Sequence, residues 1–254
     1  MLRPRVIPCL LVKGGGLVKT VQFAAPKYVG DPINAVKIFN EKQVDELIVL
    51  DIDATAKERE PDYVMIGNLA AECRMPLCYG GGIRTVGQAE RIVGMGVEKV
   101  AISSSALADP TFVTGMAEVV GSQSVVVVMD VRKRTTGSVY EIWKHNGTEA
   151  TDLCPTDFAR TMEACGAGEI VVNSIDQDGV MKGYDHELVS LVRAAVTVPI
   201  TVIGGAGSLG DIRGLIEKFG IIGAAAGSLF VFKGVYRAVL INYPSRSEKD
   251  SLLK

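Results

Sequence analysis

The sequence predicts an α/β protein folded as a closed (β/α)8 barrel, the TIM-barrel architecture. Short β-branched runs alternate eight times with longer stretches of helical pattern, no linker-like segment interrupts them, and 254 residues is an ordinary length for such a barrel. The apparent strands are 5–11, 46–52, 76–80, 98–103, 124–130, 168–174, 199–204 and 221–226, with helix-patterned stretches such as "DPINAVKIFNEK" (31–42), "TVGQAERIVGMG" (85–96), "TDFARTMEACG" (156–166) and "DHELVSLVRAAV" (185–196) between them. An open doubly wound sheet needs fewer strands and normally a GxGxxG turn after the first, which is missing here. The barrel is the better reading, as one domain over 1–254 with half-barrels at about 1–122 and 123–245 and a tail at 245–254.

Alternation assigns faces strand by strand. On the first, Arg5, Ile7, Cys9 and Leu11 share the inward side; on the second, Asp51 faces away from Leu50 and Ile52, which suits a structural role. The third ends in "GGGIRT" (80–85). The fourth points Lys99, Ala101 and Ser103 inward, and the fifth Val126, Val128 and Asp130. The sixth runs into "SIDQDG" (174–179), a turn whose aspartates, Asp176 and Asp178, can cap backbone N–H groups. The seventh ends in "GGAG" (204–207) and the eighth in Gly227 and Ser228. His145, in the hairpin-like "YEIWKHNGTEA" (140–150), and His186, at a helix start, read as solvated.

The halves echo one another. "LIVLDID" (47–53) returns as "IVVNSID" (170–176), "GGGIRT" as "GGAGSL" (204–209), and "AISSSAL" (101–107) as "AAAGSLF" (224–230), in order and at nearly constant offset. This is the mark of a duplicated (βα)4 unit. In that register Leu11 and Asp130 are equivalent positions, and only one of them carries a carboxylate.

A net charge of −2 gives no electrostatic case for nucleic acid or an anionic membrane, and no apolar run approaches the ~20 residues of a membrane span. Five cysteines (Cys9, Cys73, Cys78, Cys154, Cys165) form no CxxC pair. They read as reduced thiols of a cytoplasmic protein, with neither a disulfide framework nor a metal site, and no cofactor is expected.

Two glycine-rich turns followed by helix starts suggest phosphate cradles: Gly80, Gly81 and Gly82 with Ser103 and Ser104, and Gly204, Gly205 and Gly207 with Gly227 and Ser228. Glycines also close tight turns for purely steric reasons. Two cradles in symmetric positions on one barrel face favour a long ligand with a phosphate at each end. Asp130 is the best acid/base candidate among the strand-exit carboxylates Asp51, Asp53, Asp130, Asp176 and Asp178. At the opposite end Arg5, Glu46, Lys99 and Glu169 stand at four strand starts, two cations and two anions that could plug the floor as a paired ring.

Taken with "RVIPCL" (5–10), "GDP" (30–32), "DELIVLDI" (45–52), "VGSQSVVV" (120–127), "GAGEI" (166–170) and "GYD" (183–185), these motifs make nearly the whole chain resemble HisF, the cyclase subunit of imidazole glycerol phosphate synthase. The resemblance implies a barrel of half-barrel repeats that binds a two-phosphate substrate. It also implies ammonia from a HisH-type glutaminase on the barrel floor, a charged gate, and two catalytic aspartates at the exits of strands 1 and 5. Carried over by position, the gate is Arg5, Glu46, Lys99 and Glu169; Glu98 is an acidic docking position; Lys19 lies in a mobile loop after strand 1; Asp130 is one catalytic aspartate. The ligand positions are Gly81, Gly82, Ser103, Ser104, Asp178, Gly179, Gly204, Gly205, Gly227 and Ser228. The other catalytic aspartate falls on Leu11, Ser103 replaces an asparagine, and Ile203 replaces a serine.

Leucine cannot move a proton. With "CLLVKGGGLVKTVQF" (9–23), "YVGDPINAVKIFNEK" (28–42), "PLCYGGGI" (76–83), "GSLFVFKG" (227–234) and "RAVLINYP" (237–244), the chain looks closest to the WbuZ-type clade of HisF relatives. The expectation from that likeness is a barrel that conducts ammonia from a HisH-like glutaminase to a third, amidotransferase enzyme, for amidation of a sugar in surface polysaccharide synthesis. The alternatives are an authentic cyclase of histidine biosynthesis that has relocated its acid/base work, and a noncatalytic activator that docks on the glutaminase.

Overall fold

The computed structural model describes residues 3–134 and 139–252. Eight parallel strands close on themselves: β1 Arg5–Lys13, β2 Leu47–Asp51, β3 Leu77–Gly80, β4 Lys99–Ile102, β5 Val125–Lys133, β6 Glu169–Ser174, β7 Ile200–Ile203 and β8 Gly223–Ala226. β1 pairs in parallel with both β2 and β8, and the β5–β6 pairing completes the circuit. The expected strands are all present, and the (β/α)8 barrel stands.

Alternation divides the apolar residues into two cores. The inward set, Ile7, Cys9, Ile48, Cys78, Ala101, Val126, Val128, Val171, Ile203 and Ala225, fills the barrel axis, with Leu11 and Leu50 packed on its upper edge. The outward set, including Val6, Leu10, Leu47, Val49, Tyr79, Val100, Val127 and Met129, meets the surrounding helices. The expected helices appear as Pro32–Glu41, Val86–Gly94, Pro155–Ala164 and His186–Ala195. Asp31, Thr85 and Asp185 accept hydrogen bonds from N–H groups in the first turns of three of them, which fixes where each begins.

Two differences from the sequence reading matter for the site. β1 and β5 run past Leu11 and Asp130 to Lys13 and Lys133, because each acquires an antiparallel partner beyond the barrel rim. Gly16–Val21 pairs with β1, placing Val18 opposite Leu11; Tyr140–Lys144 pairs with β5, placing Trp143 opposite Asp130. These partners satisfy backbone groups that a bare rim would leave open. The segment after β1 forms an antiparallel ribbon of Gly16–Val21 and Ala24–Gly30. The second difference is at the C-terminus. Arg246–Leu252 is a helix, with Leu252 buried and Lys249 Nζ 2.8 Å from Asp45 Oδ1, so the expected tail is a bound element on the floor side.

The glycines of the second cradle are required by the backbone itself. Gly205 has φ +110°, and a Cβ there would run into the carbonyl oxygen of Gly183. Gly205→Ala is expected to destabilise the fold by ~2–4 kcal/mol. Gly214, inside the helix Leu209–Phe219 with open space around it, is the opposite case. Gly214→Ala should stabilise by about 0.5–1 kcal/mol. Urea denaturation of the two variants checks both signs.

Candidate functional site

The C-terminal ends of the strands surround a cavity of about 360 Å3, lined by Leu11, Leu50, Asp51, Gly80–Gly82, Ser103–Ser105, Val128, Asp130 and Asn173, with His145 and Asn146 reaching in from the hairpin after β5. A smaller recess adjoins it, lined by Cys9, Lys19, Asp178, Gly179, Gly204, Gly205, Gly227 and Ser228. Leu11, Phe23, Leu50 and Asn173 border both, so the two cradles are the ends of one cleft with an apolar waist. His145, read as simply solvated, lies at this mouth, while His186 stacks on Phe219 at a ring separation of 5.9 Å, away from it.

Asp130 faces the cleft as alternation requires. Its Oδ1 accepts a 2.8 Å hydrogen bond from Asn173 Nδ2, its neighbour in the β5–β6 ladder. Burial pushes its carboxyl up to about 6, the Asn173 bond pulls the other way, and the nearby charge of Asp178 adds a push upward. A carboxyl near 6 can both give and take a proton at neutral pH.

Lys19 sits in the first strand of the ribbon, Gly16–Val21, and its Nζ donates to the carbonyl of Cys9 on β1 at 2.6 Å. It is 6% exposed, beside Gly227 of the second cradle, and burial lowers its pKa. The N–H groups of Gly205 and Ala206 make no hydrogen bond within the described residues. An ammonium held by one carbonyl, with open amides beside it, suits an anion.

Asp178, which lines the recess, also caps backbone and side-chain groups of the ribbon. Its Oδ2 accepts from Thr20 Oγ1 at 2.7 Å and from the N–H of Phe23 at 3.1 Å, and Gln22 N donates to its carbonyl at 2.9 Å. It ties the ribbon across the mouth and so holds Lys19 in place, while Gly179 passes beneath that ribbon. Asp176 caps the N–H of Lys133 at 2.8 Å. Asp51 is buried and accepts from the N–H groups of Asp53 and Ala54, both at 3.2 Å. Burial, then Asp53, raises its carboxyl to about 6, while Arg59, bonded to Asp53 at 2.5 Å, opposes the rise. In the first cradle Gly81 and Gly82 have φ +124° and +74°, the Gly82 N–H meets Thr55 Oγ1 at 3.3 Å, and Ser103 and Ser104 open the short helix Ser104–Ala108.

At the floor the ring is closed. Arg5 bridges Glu46 and Glu169, the latter at 2.7 Å, and Lys99 Nζ lies 2.8 Å from a carboxylate oxygen of each. The carboxylates are buried and the cations are 19–22% exposed on the outer side. Burial disfavours charge on Glu169, but Arg5 and Lys99 more than offset it and hold its carboxyl below the ordinary range. Glu98 is exposed beside the ring, and its Oε2 also accepts from the N–H of Leu77 at 2.7 Å.

Residue-by-residue reading missed Asn173, Thr201 and Asn146. Alternation on β6 and β7 could have found the first two, which point inward with Val171 and Ile203. Asn146 comes from the hairpin after β5, where its Nδ2 donates to the carbonyl of Ile52 at 2.7 Å, and no periodicity signals it. Among the described residues no helix is long and apolar enough to cross a membrane, and no group of His, Cys, Asp or Glu is placed to hold a metal ion.

Fold and site together define a class: a (β/α)8 barrel with a glycine-lined cleft at its mouth and a salt-bridged ring at its floor. Comparison with known proteins sharpens this. A family model described as histidine biosynthesis protein matches residues 5–237. A Vibrio vulnificus protein, named provisionally as imidazole glycerol phosphate synthase subunit hisF3, is 58% identical over 254 residues, covering 100% of this chain and 98% of the relative. A Leptospira interrogans protein, provisionally HisF of the same synthase, is 54% identical, covering 99% of each chain. Imidazole glycerol phosphate synthase subunit HisF of Lactococcus lactis subsp. cremoris is 40% identical over 91% of this chain and 89% of its own. The chain belongs to the HisF family of histidine biosynthesis proteins.

The raised carboxyl of Asp130 has a consequence for stability. A group whose folded-state pKa lies above its unfolded value contributes most below the unfolded pKa and loses that contribution as pH rises through the folded one. The window here is about pH 4–6. Asp130→Asn should therefore gain stability relative to the parent across that window and keep a constant advantage above pH 7, as read by urea denaturation at pH 4.5, 6 and 7.5.

Proposed function

We propose that this chain is the synthase subunit of a glutamine amidotransferase complex, receiving ammonia through its floor from a HisH-type glutaminase, and that its reaction is the cyclase/lyase step of imidazole glycerol phosphate synthesis. The observation that carries the reading is the coincidence of two ends on one axis. A charged ring spans the floor, the packed barrel axis above it includes small side chains (Cys78, Ala101, Ala225), and the cleft with Asp130 lies at the far end. The relatives' names supply the reaction. On those grounds this reading stands ahead of sugar amidation, which the sequence alone had put first.

Ring closure asks for ammonia addition to a carbonyl, loss of water and cleavage of a C–N bond, with protons moving on both sides of the ligand. Asp130 serves the β5 side. On the β1 side, where Leu11 offers nothing, Lys19 is the candidate: buried, with a lowered pKa, and fixed against the backbone of β1. The two cradles, Gly81, Gly82, Ser103 and Ser104 at one end and Gly204, Gly205, Gly227 and Ser228 at the other, would take the phosphates of a two-phosphate ligand. The matching ribbons after β1 and β5 fit half-barrels of common origin, at about 1–122 and 123–245.

Leu11 itself favours a second reading, in which ammonia leaves the mouth for a third, amidotransferase enzyme and a sugar acceptor. Ammonium salt with the two-phosphate ribonucleotide of the histidine pathway separates the two. The cyclase reading predicts turnover that falls ~10²–10⁴-fold in both Asp130→Asn and Lys19→Met. Absence of turnover in the parent, with activity gained in Leu11→Asp, would leave the amidation reading in possession. The conduit is tested separately. Arg5→Ala should depress glutamine-supported turnover in the complex while sparing ammonium-supported turnover, and equal effects on both would remove the ring from the path.

A further inference from the structure

The four charges of the floor ring are not held equally. Glu169 has three donor residues: Arg5, through Nη2 at 2.7 Å and Nη1 at 3.4 Å, Lys99 Nζ at 2.8 Å and Thr201 Oγ1 at 2.5 Å. Thr201 is fully buried and also accepts from Arg5 Nη2 at 3.3 Å, so hydroxyl, guanidinium and carboxylate form a closed triangle. The space its hydroxyl needs comes from Gly223 on the adjacent strand, where a Cβ would collide with it. Glu46, by contrast, has only Arg5 and Lys99 among the described residues.

Glu46 also differs in what lies next to it. Its neighbour Asp45 accepts from the N–H of Val6 at 3.0 Å and from Lys249 Nζ at 2.8 Å, and its own N–H donates to Tyr243 Oη at 3.4 Å. Tyr243 Oη in turn donates to the carbonyl of Val6 at 2.8 Å. The C-terminal segment thus clasps two residues, Asp45 and Val6, that directly adjoin the ring members Glu46 and Arg5. The residues beside Glu169 have no such clasp among the described residues, the N–H of Gly168 donating to the carbonyl of Val125 and that of Ile170 to the carbonyl of Pro199.

We infer that the ring is latched on one side and levered on the other: Thr201 is a positioning residue that keeps Arg5 on Glu169, Glu46 is the carboxylate that lets go, and the clasp of Tyr243 and Lys249 on Asp45 is the handle by which a protein seated on the floor reaches it. This rests on reading the ring as a gate. Opening toward Glu46 breaks two hydrogen-bonded contacts and leaves both cations paired with Glu169. Opening toward Glu169 breaks three and strands the Thr201 hydroxyl in a dry core, where an unpaired polar group is costly.

The test uses the barrel alone, with no ammonia flux, so its result stands or falls independently of the Arg5→Ala comparison above. Amide hydrogen exchange and carboxyl titration by NMR are compared in the parent, Lys249→Met, Tyr243→Phe, Thr201→Val and Thr201→Ser. Lys249→Met should speed exchange at 45–48 by about tenfold or more and leave 169–172 unchanged. Tyr243→Phe, which removes one hydroxyl and leaves the terminal helix its other contacts, should give the same asymmetry to a smaller extent. Thr201→Val should raise the titration midpoint of Glu169 and speed exchange at 169–172, and Thr201→Ser should restore both. Equal loosening of the two sides by Lys249→Met, or a Glu169 midpoint indifferent to Thr201→Val, would overturn the proposal.

Discussion

The salt-bridged ring of Arg5, Glu46, Lys99 and Glu169 is the constraint on which the rest of the architecture turns. A barrel of eight short parallel strands must be filled along its axis, and an apolar plug at the floor would do so at no cost in desolvation. Here four charges from four strands fill it instead. Each buried carboxylate lies between the two cations, and every neighbouring pair around the ring is of opposite sign. Such a ring contributes little net stability over apolar side chains, yet loss of one member leaves an uncompensated buried charge. It behaves as a unit. That is a poor way to build a core and a good way to build a barrier that is either whole or open.

The mouth depends on a second set of ties. Asp178 on the sixth-strand turn holds the ribbon after β1, that ribbon holds Lys19 over Cys9, and Lys19 completes the recess made by Gly204, Gly205 and Gly227. Asn146, on the ribbon after β5, reaches across to Ile52. Gly147 of that ribbon lies against Phe23 and Ile175, so the two ribbons meet over the cleft. With Leu11 at the waist, Asp130 and Lys19 border the cleft from its two sides, among other ionisable groups that include Asp51, His145 and Asp178. Asp130 and Lys19 are both shifted by burial toward neutrality, one upward and one downward.

Much of this was legible in the residues. Period-two alternation placed Ile7, Cys9, Ala101, Val126, Val128 and Asp130 on the barrel axis, and the structure has them there, because a one-residue slip would turn each strand's whole inner set outward. The ring could be read from strand starts for the same reason. What escaped were properties set by partners distant in sequence. Asp178 gives no sign in the sequence of its bonds to the ribbon at Thr20 and Phe23. Lys19 gives none of its carbonyl acceptor on β1. Thr201 carries no local signal of its hydroxyl's role, which depends on Glu169 and on a glycine at 223. The C-terminal helix, short and polar, depends on tertiary contacts that include buried Leu252 and the bond of Lys249 to Asp45.

A double-mutant cycle on Arg5 and Glu169, read by urea denaturation at neutral pH, tests the unity of the ring most directly. The account predicts that Arg5→Met and Glu169→Gln each cost about 3–5 kcal/mol. It also predicts that the double variant costs less than their sum by well over the ~0.5 kcal/mol expected of independent sites. Costs that simply add would show four separate surface charges at the floor, and the account of a collective barrier would be wrong.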